Sequence, residues 1–319
     1  MKALVTIMRR SIPFCAIATL ACSSLAADTI VANDRARPPV VASASPALWS
    51  VSDEDTIIYL FGTVHMMKPG TVWFDDEVKA AFDRSDVLVL EVADSDPTVI
   101  ATAVARLGAN RSGTPTSQML KPGAREKYIA ALKELHIPQA AMDRLDPWLV
   151  SINLSLAPLE RLGYSEDDGV EKTLTHAAQT QGKPVKGLET SEEQLGFFDG
   201  LPQSAQIAYL ENTVKELPKV EKEFRKLTLY WTRGESEKLG KQLNESVKET
   251  PELAKVLLFD RNARWAEWVK KRMGQPGTVF MAVGAGHLAG RGSVIDLLEQ
   301  DHRKVQRLHA RDFAQASAQ

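Results

Sequence analysis

The chain has 319 residues, of which 44% are hydrophobic and 25% charged, and its formal net charge is −2. This length is enough for one large domain or two modest ones, each with a substantial core. The composition is that of an ordinary globular protein. The nearly balanced charge gives no electrostatic reason to expect a nucleic-acid partner.

The first 26 residues differ in character from the rest of the chain. Lys2, Arg9 and Arg10 precede a short apolar stretch that ends in small residues at Ala26. This order predicts a secretory signal peptide that is cleaved after Ala26, and hence a periplasmic or secreted protein. Two alternatives are an uncleaved anchor, for which the stretch is short, and a lipid attached at Cys22, where the preceding "TLA" departs from the usual lipoprotein pattern.

Both cysteines of the chain, Cys15 and Cys22, lie inside this leader. Cleavage after Ala26 therefore leaves a mature chain without cysteine. A disulfide framework, a thiol nucleophile and a cysteine-based metal site are then excluded. Any chemistry of the mature chain is left to histidines, carboxylates and hydroxyl groups.

After a flexible lead-in (27–46), the pattern predicts a single domain over 47–319. The apolar runs "ALWSV" and "TIIYLFG", separated by "SDED", are typical of a hairpin that enters a sheet. "DDEVKAAFDRS" (75–85) has apolar residues at helical spacing. "DVLVLEV" (86–92) is a continuous apolar run, which is typical of a strand covered on both faces.

The segment from about 120 to 275 has helical spacing and is predicted to be a large insertion that forms a cap. "VKGLET" (185–190) is a short strand candidate within it, and Pro158 is predicted to kink or end the helix in which it falls. A turn, "GQPG", then leads into the strand "TVFMAVG", a helix at 292–300 and a last strand at 304–309. The predicted fold class is α/β (or α+β), with a central mixed, partly parallel sheet flanked by helices.

Four polar residues follow or end predicted strands. His65 and His287 each end a Gly-x-x-His stretch, "GTVH" and "GAGH", while Glu91 and Glu189 end the runs "DVLVL" and "VKGL". In open α/β sheets, ligands bind outside the carboxyl ends of the strands. Two imidazoles and a carboxylate are a common donor set for a catalytic divalent metal, with a second carboxylate as general base. The alternative is that these residues are turn residues or satisfied hydrogen-bond partners.

Other types of active site find no support in the sequence. The chain has no Gly-x-Ser-x-Gly nucleophile elbow. "GAGHLAGRG" lacks the Gly-Lys-Ser/Thr ending of a phosphate-binding P-loop and does not fit a dinucleotide fingerprint. The four strand-end residues therefore remain the candidate site.

Several segments together resemble the TraB/GumN family. They are "LWSVSDEDTIIYLFGTVHMM", "LVLEV", "GKPVKGLETSEEQLGFFDGLP", "RNARW" and "VFMAVGAGHLAGRGSVIDLL". The family is related to the Tiki metalloproteases and, more distantly, to ChaN-like and erythromycin-esterase-like proteins. The resemblance extends from about Trp49 to Leu298.

The resemblance implies a metal-dependent hydrolase, specifically a peptidase that acts on peptides or proteins. The metal would be divalent, either manganese, cobalt or zinc. The resemblance implies that His65, His287 and Glu91 bind the metal and that Glu189 is a second ligand or the general base. Arg261 would stabilise an oxyanion or bind a substrate carboxylate, the alternative being a salt bridge on a helix surface.

The family pattern Gly-aliphatic-Asp falls on Gly169-Val170-Glu171, where this chain has the longer acid. Two other functions remain open. One is a binding protein that holds haem or a peptide without turnover, and the other is a structural component of an envelope or polysaccharide-export system. The sequence predicts no nucleic-acid partner and no transmembrane helix in the mature chain, and it makes no prediction of oligomeric state.

Overall fold

The computed structural model describes residues 44–93 and 96–315. The predicted signal peptide and most of the predicted lead-in lie outside these residues. Cleavage after Ala26 and the division of the chain at residue 46 therefore remain predictions.

Six strands in the described part of the chain form one sheet, in the order β4–β3–β5–β2–β1–β6. The strands are β1 (Leu48–Ser52), β2 (Thr56–Thr63), β3 (Val87–Val92), β4 (Val185–Glu189), β5 (Gly277–Gly284) and β6 (Val305–Arg307). β2, β5, β3 and β4 run parallel, whereas β1 pairs antiparallel with both β2 and β6. The predicted hairpin and the predicted mixed, partly parallel α/β sheet are confirmed.

Helices fill both sides of this sheet. They are α1 (Asp76–Arg84), α2 (Pro97–Leu107), α3 (Thr116–Met119), α4 (Pro122–Glu134), α5 (Gln139–Met142), α6 (Pro147–Arg161), α7 (Val170–Thr180), α8 (Ser191–Asp199), α9 (Gln203–Glu216), α10 (Val220–Thr232), α11 (Ser236–Ser246), α12 (Pro251–Ala254), α13 (Asp260–Arg272), α14 (Val294–Gln300) and α15 (Ala310–Gln315). Short 3₁₀ turns occupy Leu217–Lys219, Val247–Glu249 and Ala285–His287, and Lys255–Phe259 is π-helical. Within residues 44–93 and 96–315, no helix combines the length and the apolar character that crossing a membrane requires.

The central strands bury both of their faces, as their continuous apolar sequences predict. In β2, Tyr59 and Phe61 belong to the core on one side of the sheet, and Ile58 and Leu60 belong to the core on the other. This alternation follows from the two-residue period of a strand. The sheet is therefore held between two apolar layers, which fixes the positions at which its strands end.

The helical region has a third apolar core of its own, built around α6. Trp148 of α6 is fully buried and stacks on Phe198 of α8, with ring centroids 5.5 Å apart. β4 interrupts this region and adds the outermost parallel strand to the sheet. A chain segment that is mostly helical thus contributes one strand end, Glu189, to the edge where the candidate site lies.

Of the two outcomes predicted for Pro158, a kink or an end, the end does not occur, because α6 continues to Arg161. Proline lacks the N–H that would donate to the carbonyl one turn earlier. Here it lies in the last turn of the helix, between the buried side chains of Leu156 and Leu159. The apolar contacts of this turn offset the loss of one backbone hydrogen bond, so the helix persists.

Candidate functional site

The register of the parallel strands brings the four predicted residues to one edge of the sheet. Thr63 pairs with Gly284, so the chain leaves β2 and β5 at the same level. Val92 pairs with Glu189, which places the ends of β3 and β4 together. Because the strand order is β4–β3–β5–β2, the four groups follow one another along the edge. Their order is Glu189, Glu91, His287 and His65.

The three predicted metal ligands face a small space beside Gly284. A β-carbon on this glycine would lie 3.1 Å from Oε1 of Glu91, 3.9 Å from Nε2 of His65 and 3.6 Å from Cδ2 of His287. The Gly284 N–H also donates to Glu91 Oε1 over 2.7 Å, which holds the carboxylate against the strand end. The absence of a side chain at this position leaves the space between the two imidazoles and the carboxylate open.

Each imidazole is oriented through its Nδ1 atom. The Nδ1 of His65 lies 2.6 Å from Oε1 of Glu171, the first-turn acid of α7. The Nδ1 of His287 lies 2.6 Å from Oδ1 of Asn262 on α13, and because that oxygen is an acceptor, the imidazole donates. Metal-binding histidines characteristically donate this second ring N–H to a carboxylate or carbonyl oxygen, which directs the other nitrogen to the metal.

Arg261 joins the remaining groups. It is 1% exposed, and its Nη2 donates to Glu91 Oε2 over 2.6 Å and its Nε to Glu189 Oε2 over 2.9 Å. Its Nη1 lies 3.1 Å from Nε2 of His287. Gln194 donates to both carboxylates, at 3.2 Å and 3.1 Å. Arg261 therefore lies inside the site and not on a helix surface, and its charge compensates the two buried carboxylates.

The segment that carries Arg261 begins with the π-helical turn Lys255–Phe259, a local irregularity that often occurs at functional sites. Arg261 Nη1 also donates to the carbonyl of Leu257 within that turn, over 3.1 Å. Asn262 donates through Nδ2 to the Gly292 carbonyl over 2.7 Å, which fixes its oxygen towards His287. Trp265, one turn later, packs its ring 4.4 Å from the His287 ring.

The environment separates the protonation states of the two histidines. Burial and the neighbouring Arg261 lower the pKa of His287 to about 3, so its imidazole is neutral and Nε2 accepts from the guanidinium. Burial also opposes a charge on His65, but the Glu171 carboxylate outweighs it and raises the pKa of His65 to about 9. Burial disfavours the charge of Glu91 as well, yet Arg261 and the histidines lower the pKa of that carboxyl to about 2.

The donor set has the chemistry of a divalent-metal site. His65, Glu91 and His287 supply two imidazoles and a carboxylate around the opening at Gly284. In the described part of the chain, no three such side chains already surround one point closely enough to hold an ion. The Arg261 Nη1 donates to the His287 nitrogen that a cation would use, so this hydrogen bond must break for the metal to bind.

Sequence reasoning gave no role to Asn262 or Gln194 and left that of Glu171 undefined. Glu171 and Asn262 were nevertheless visible as parts of family-like motifs, "GVE" and "RN". Gln194, in "SEEQ", carries no signal of its own, because an amide in an acidic helix start resembles any solvated residue. Only the approach of α8 to the ends of β3 and β4 reveals its contacts.

Comparison with known proteins agrees with the resemblance. The TraB/PrgY/gumN family model matches residues 47–307, which is most of the chain. The protein belongs to the TraB/PrgY/gumN family. The Escherichia coli (strain K12) relative YbaP, described as uncharacterized, is 24% identical over 244 residues, which cover 75% of this chain and 87% of YbaP.

A second relative of this chain is an uncharacterized protein of Treponema pallidum (strain Nichols). It is 21% identical over 283 residues, which cover 83% of each chain. No solved structure matches the chain.

Proposed function

We propose that this TraB/PrgY/gumN protein is an exported, divalent-metal-dependent hydrolase that cleaves peptide bonds. One observation carries the proposal: both Gly-x-x-His imidazoles are held through Nδ1 by a side-chain oxygen and lie with Glu91 around the opening at Gly284. An imidazole that served only as a turn residue would need neither a buried orienting partner nor a common space with the other imidazole.

His65, Glu91 and His287 would hold the cation in this proposal. A divalent ion in a site of two imidazoles and a carboxylate lowers the pKa of water and polarises a carbonyl oxygen. The chain's own part is to orient these donors. Glu171 holds the His65 ring, Asn262 holds the His287 ring and the Gly284 N–H holds Glu91.

Glu189 keeps its proposed role as second ligand or general base. Either role requires a carboxylate oxygen, and both oxygens now accept hydrogen bonds from Arg261. Gln194 and Arg264 also donate to this carboxylate. The side chain of Arg264 is 51% exposed and is the donor that solvent can most readily replace. Arg261 is buried, and we assign it the role of fixing the positions of the Glu91 and Glu189 carboxylates away from solvent.

Metal analysis and peptide cleavage test this proposal. Purified chain should bind a single divalent ion and cleave unstructured peptides when manganese, cobalt or zinc is supplied. His65→Ala and His287→Ala should abolish both properties, whereas His176→Ala, which changes an exposed histidine on α7, should change neither. Retained metal binding and cleavage in both site variants would contradict the assignment. Absorption of added haem without any cleavage would favour the binding-protein alternative.

Gly284→Ala is the sharper variant, because its backbone φ of −47° suits alanine and the new methyl group enters the space between the ligands. We expect the variant to fold, with a thermal midpoint close to that of the wild type, and to lose at least tenfold in metal affinity. An unchanged affinity would place the metal elsewhere.

A further inference from the structure

The half-exposed Arg264 of the "RNARW" segment touches the proposed metal site only through its hydrogen bond to Glu189. Its Nη2 donates to Glu189 Oε1 over 3.1 Å, and its guanidinium lies over the ring of Phe197, 5.2 Å from the ring centroid. These two contacts hold the guanidinium in place. Its side chain is nevertheless 51% exposed, so other donors of the planar group are available at the surface.

We propose that Arg264 and Phe197 form a subsite for a carboxylate of the substrate, beside the metal site. This inference rests on the proposed peptidase function and defines its substrate class. Arginine presents several N–H donors in a rigid plane that matches a carboxylate with two parallel hydrogen bonds. Because the guanidinium already lies over the Phe197 ring, it loses less conformational freedom when a carboxylate binds. The exposed part of the ring offers an apolar surface beside the charge.

The strand order determines where along a substrate this carboxylate lies. Arg264 contacts Glu189 at the end of β4, while His287 follows β5, two strands away. Adjacent strands are about 4.8 Å apart, so the ends of β4 and β5 are separated by roughly 10 Å, which we take as the spacing between the two subsites. An extended peptide covers ~3.4 Å per residue. The carboxylate therefore lies about three residues from the bond that is cleaved, as a free C-terminus or as an acidic side chain.

Three peptides of matched length distinguish these sources. The first is an acetylated alanine-rich hexapeptide with a free C-terminal carboxylate, the second is the same peptide with a C-terminal amide, and the third is the amide with glutamate at the third position from its end. Calorimetry measures the affinity of the purified chain for each peptide, and mass spectrometry of the same samples records cleavage. We expect at least one of the two acidic peptides to bind about tenfold more tightly than the neutral amide.

Arg264→Gln should bind the acidic and neutral peptides equally, and Arg264→Lys should keep only part of the preference, because it keeps the charge but not the planar group. Arg303→Gln, which removes an exposed arginine outside the Arg264 and Phe197 subsite, should keep the full preference for acidic peptides. Circular dichroism and thermal unfolding check that the Arg264 variants fold. Equal binding of all three peptides by the wild type, no binding of any peptide, or an unchanged preference in Arg264→Gln would overturn the subsite.

The outcomes also separate the subsite from the proposed function. Preferential binding of an acidic peptide without cleavage, whatever divalent metal is supplied, would leave the subsite standing and remove the hydrolase. Cleavage of all three peptides at equal rates and with equal affinities would support the hydrolase and remove the subsite.

Discussion

At the scale of single residues, the candidate site depends on the partners of its histidines as much as on the histidines themselves. Glu171 contacts the Nδ1 of His65, and Asn262 contacts the Nδ1 of His287. A carboxylate partner makes an imidazole more basic than an amide partner does, because it adds a full negative charge. Glu171 thus raises the pKa of His65 against the effect of burial, whereas burial and Arg261 lower the pKa of His287.

Glu171 should control metal affinity without touching the metal. Replacing Glu171 with alanine removes both the acceptor and the charge, and we expect manganese affinity to fall by about 10- to 100-fold. Glu171→Gln keeps an acceptor oxygen and should lose less. Calorimetric titration of the metal-free variants measures both values. Glu192→Gln, an exposed change on α8, is the matched control, and wild-type affinity in Glu171→Ala would refute the role.

At the scale of elements, α7 begins directly against the loop that carries His65. The Val170 N–H donates to the carbonyl of Val64 over 3.1 Å, and a β-carbon on Gly169 would lie 2.2 Å from the carbonyl oxygen of His65. The helix can approach this closely because position 169 lacks a side chain. The close approach is what brings Glu171, two residues later, within hydrogen-bonding distance of the imidazole.

Gly169→Ala should therefore separate α7 from the His65 loop. We expect it to lower the free energy of unfolding by about 2–3 kcal/mol, the upper range for an inserted methyl group in a packed region. Gly196→Ala is the control, because a β-carbon on that glycine, inside α8, meets nothing within 4 Å. It should stabilise the protein by roughly 0.5–1 kcal/mol through helix propensity. Urea unfolding measures both, and equal stability of the Gly169 variant and the wild type would disprove the steric argument.

At the scale of the whole molecule, the site gathers charged groups in a buried place. Glu91, His287 and Arg261 are each less than 7% exposed, between the apolar layers that cover the sheet. Such groups tie the stability of the fold to pH, because their pKa values differ between the folded and the unfolded chain. Arg261 itself stays charged, since burial opposes its charge but the two carboxylates outweigh that effect and raise its pKa.

Together, His287, Glu91 and His65 should contribute most to the stability of the metal-free protein near pH 6.5. Below that pH the unfolded chain protonates His287, whereas the folded chain does so only near pH 3, so the stability contributed by His287 falls. The contribution of Glu91 is present above pH 4.5 and is lost as the pH falls through about 2. The contribution of His65 is complete below pH 6.5 and is lost as the pH rises through about 9.

Urea unfolding of the wild type and of His287→Asn, in the presence of a chelator and from pH 4 to pH 9, isolates the contribution of His287. The free energy of unfolding of His287→Asn, relative to that of the wild type, should rise as the pH falls from 6.5 to 4, and the exposed change His176→Asn should show no such relative rise. A difference in stability between the wild type and His287→Asn that does not change from pH 6.5 to pH 4 would contradict the burial of a neutral His287.

Much of the fold was predictable because it follows from local patterns. Continuous apolar runs specified β2, β3 and β5, with a glycine at the end of the β2 and β5 runs, and they placed His65, Glu91 and His287 at strand ends. The sequence left open whether α6 continues past Pro158 or ends there, since the outcome depends on side chains from other elements. The contacts of Gln194 were not predictable from the sequence, because its two carboxylate partners come from different strands.

The sequence by itself determined the elements, the family motifs and the residue types available for chemistry, because spacing along the chain fixes which side of an element a residue occupies. Only the tertiary structure decided that Arg261 lies among Glu91, Glu189 and His287, and that Glu171 and Asn262 orient the two imidazoles. Those contacts join residues separated by up to 170 positions, and they depend on strand order and helix packing, which no local pattern encodes.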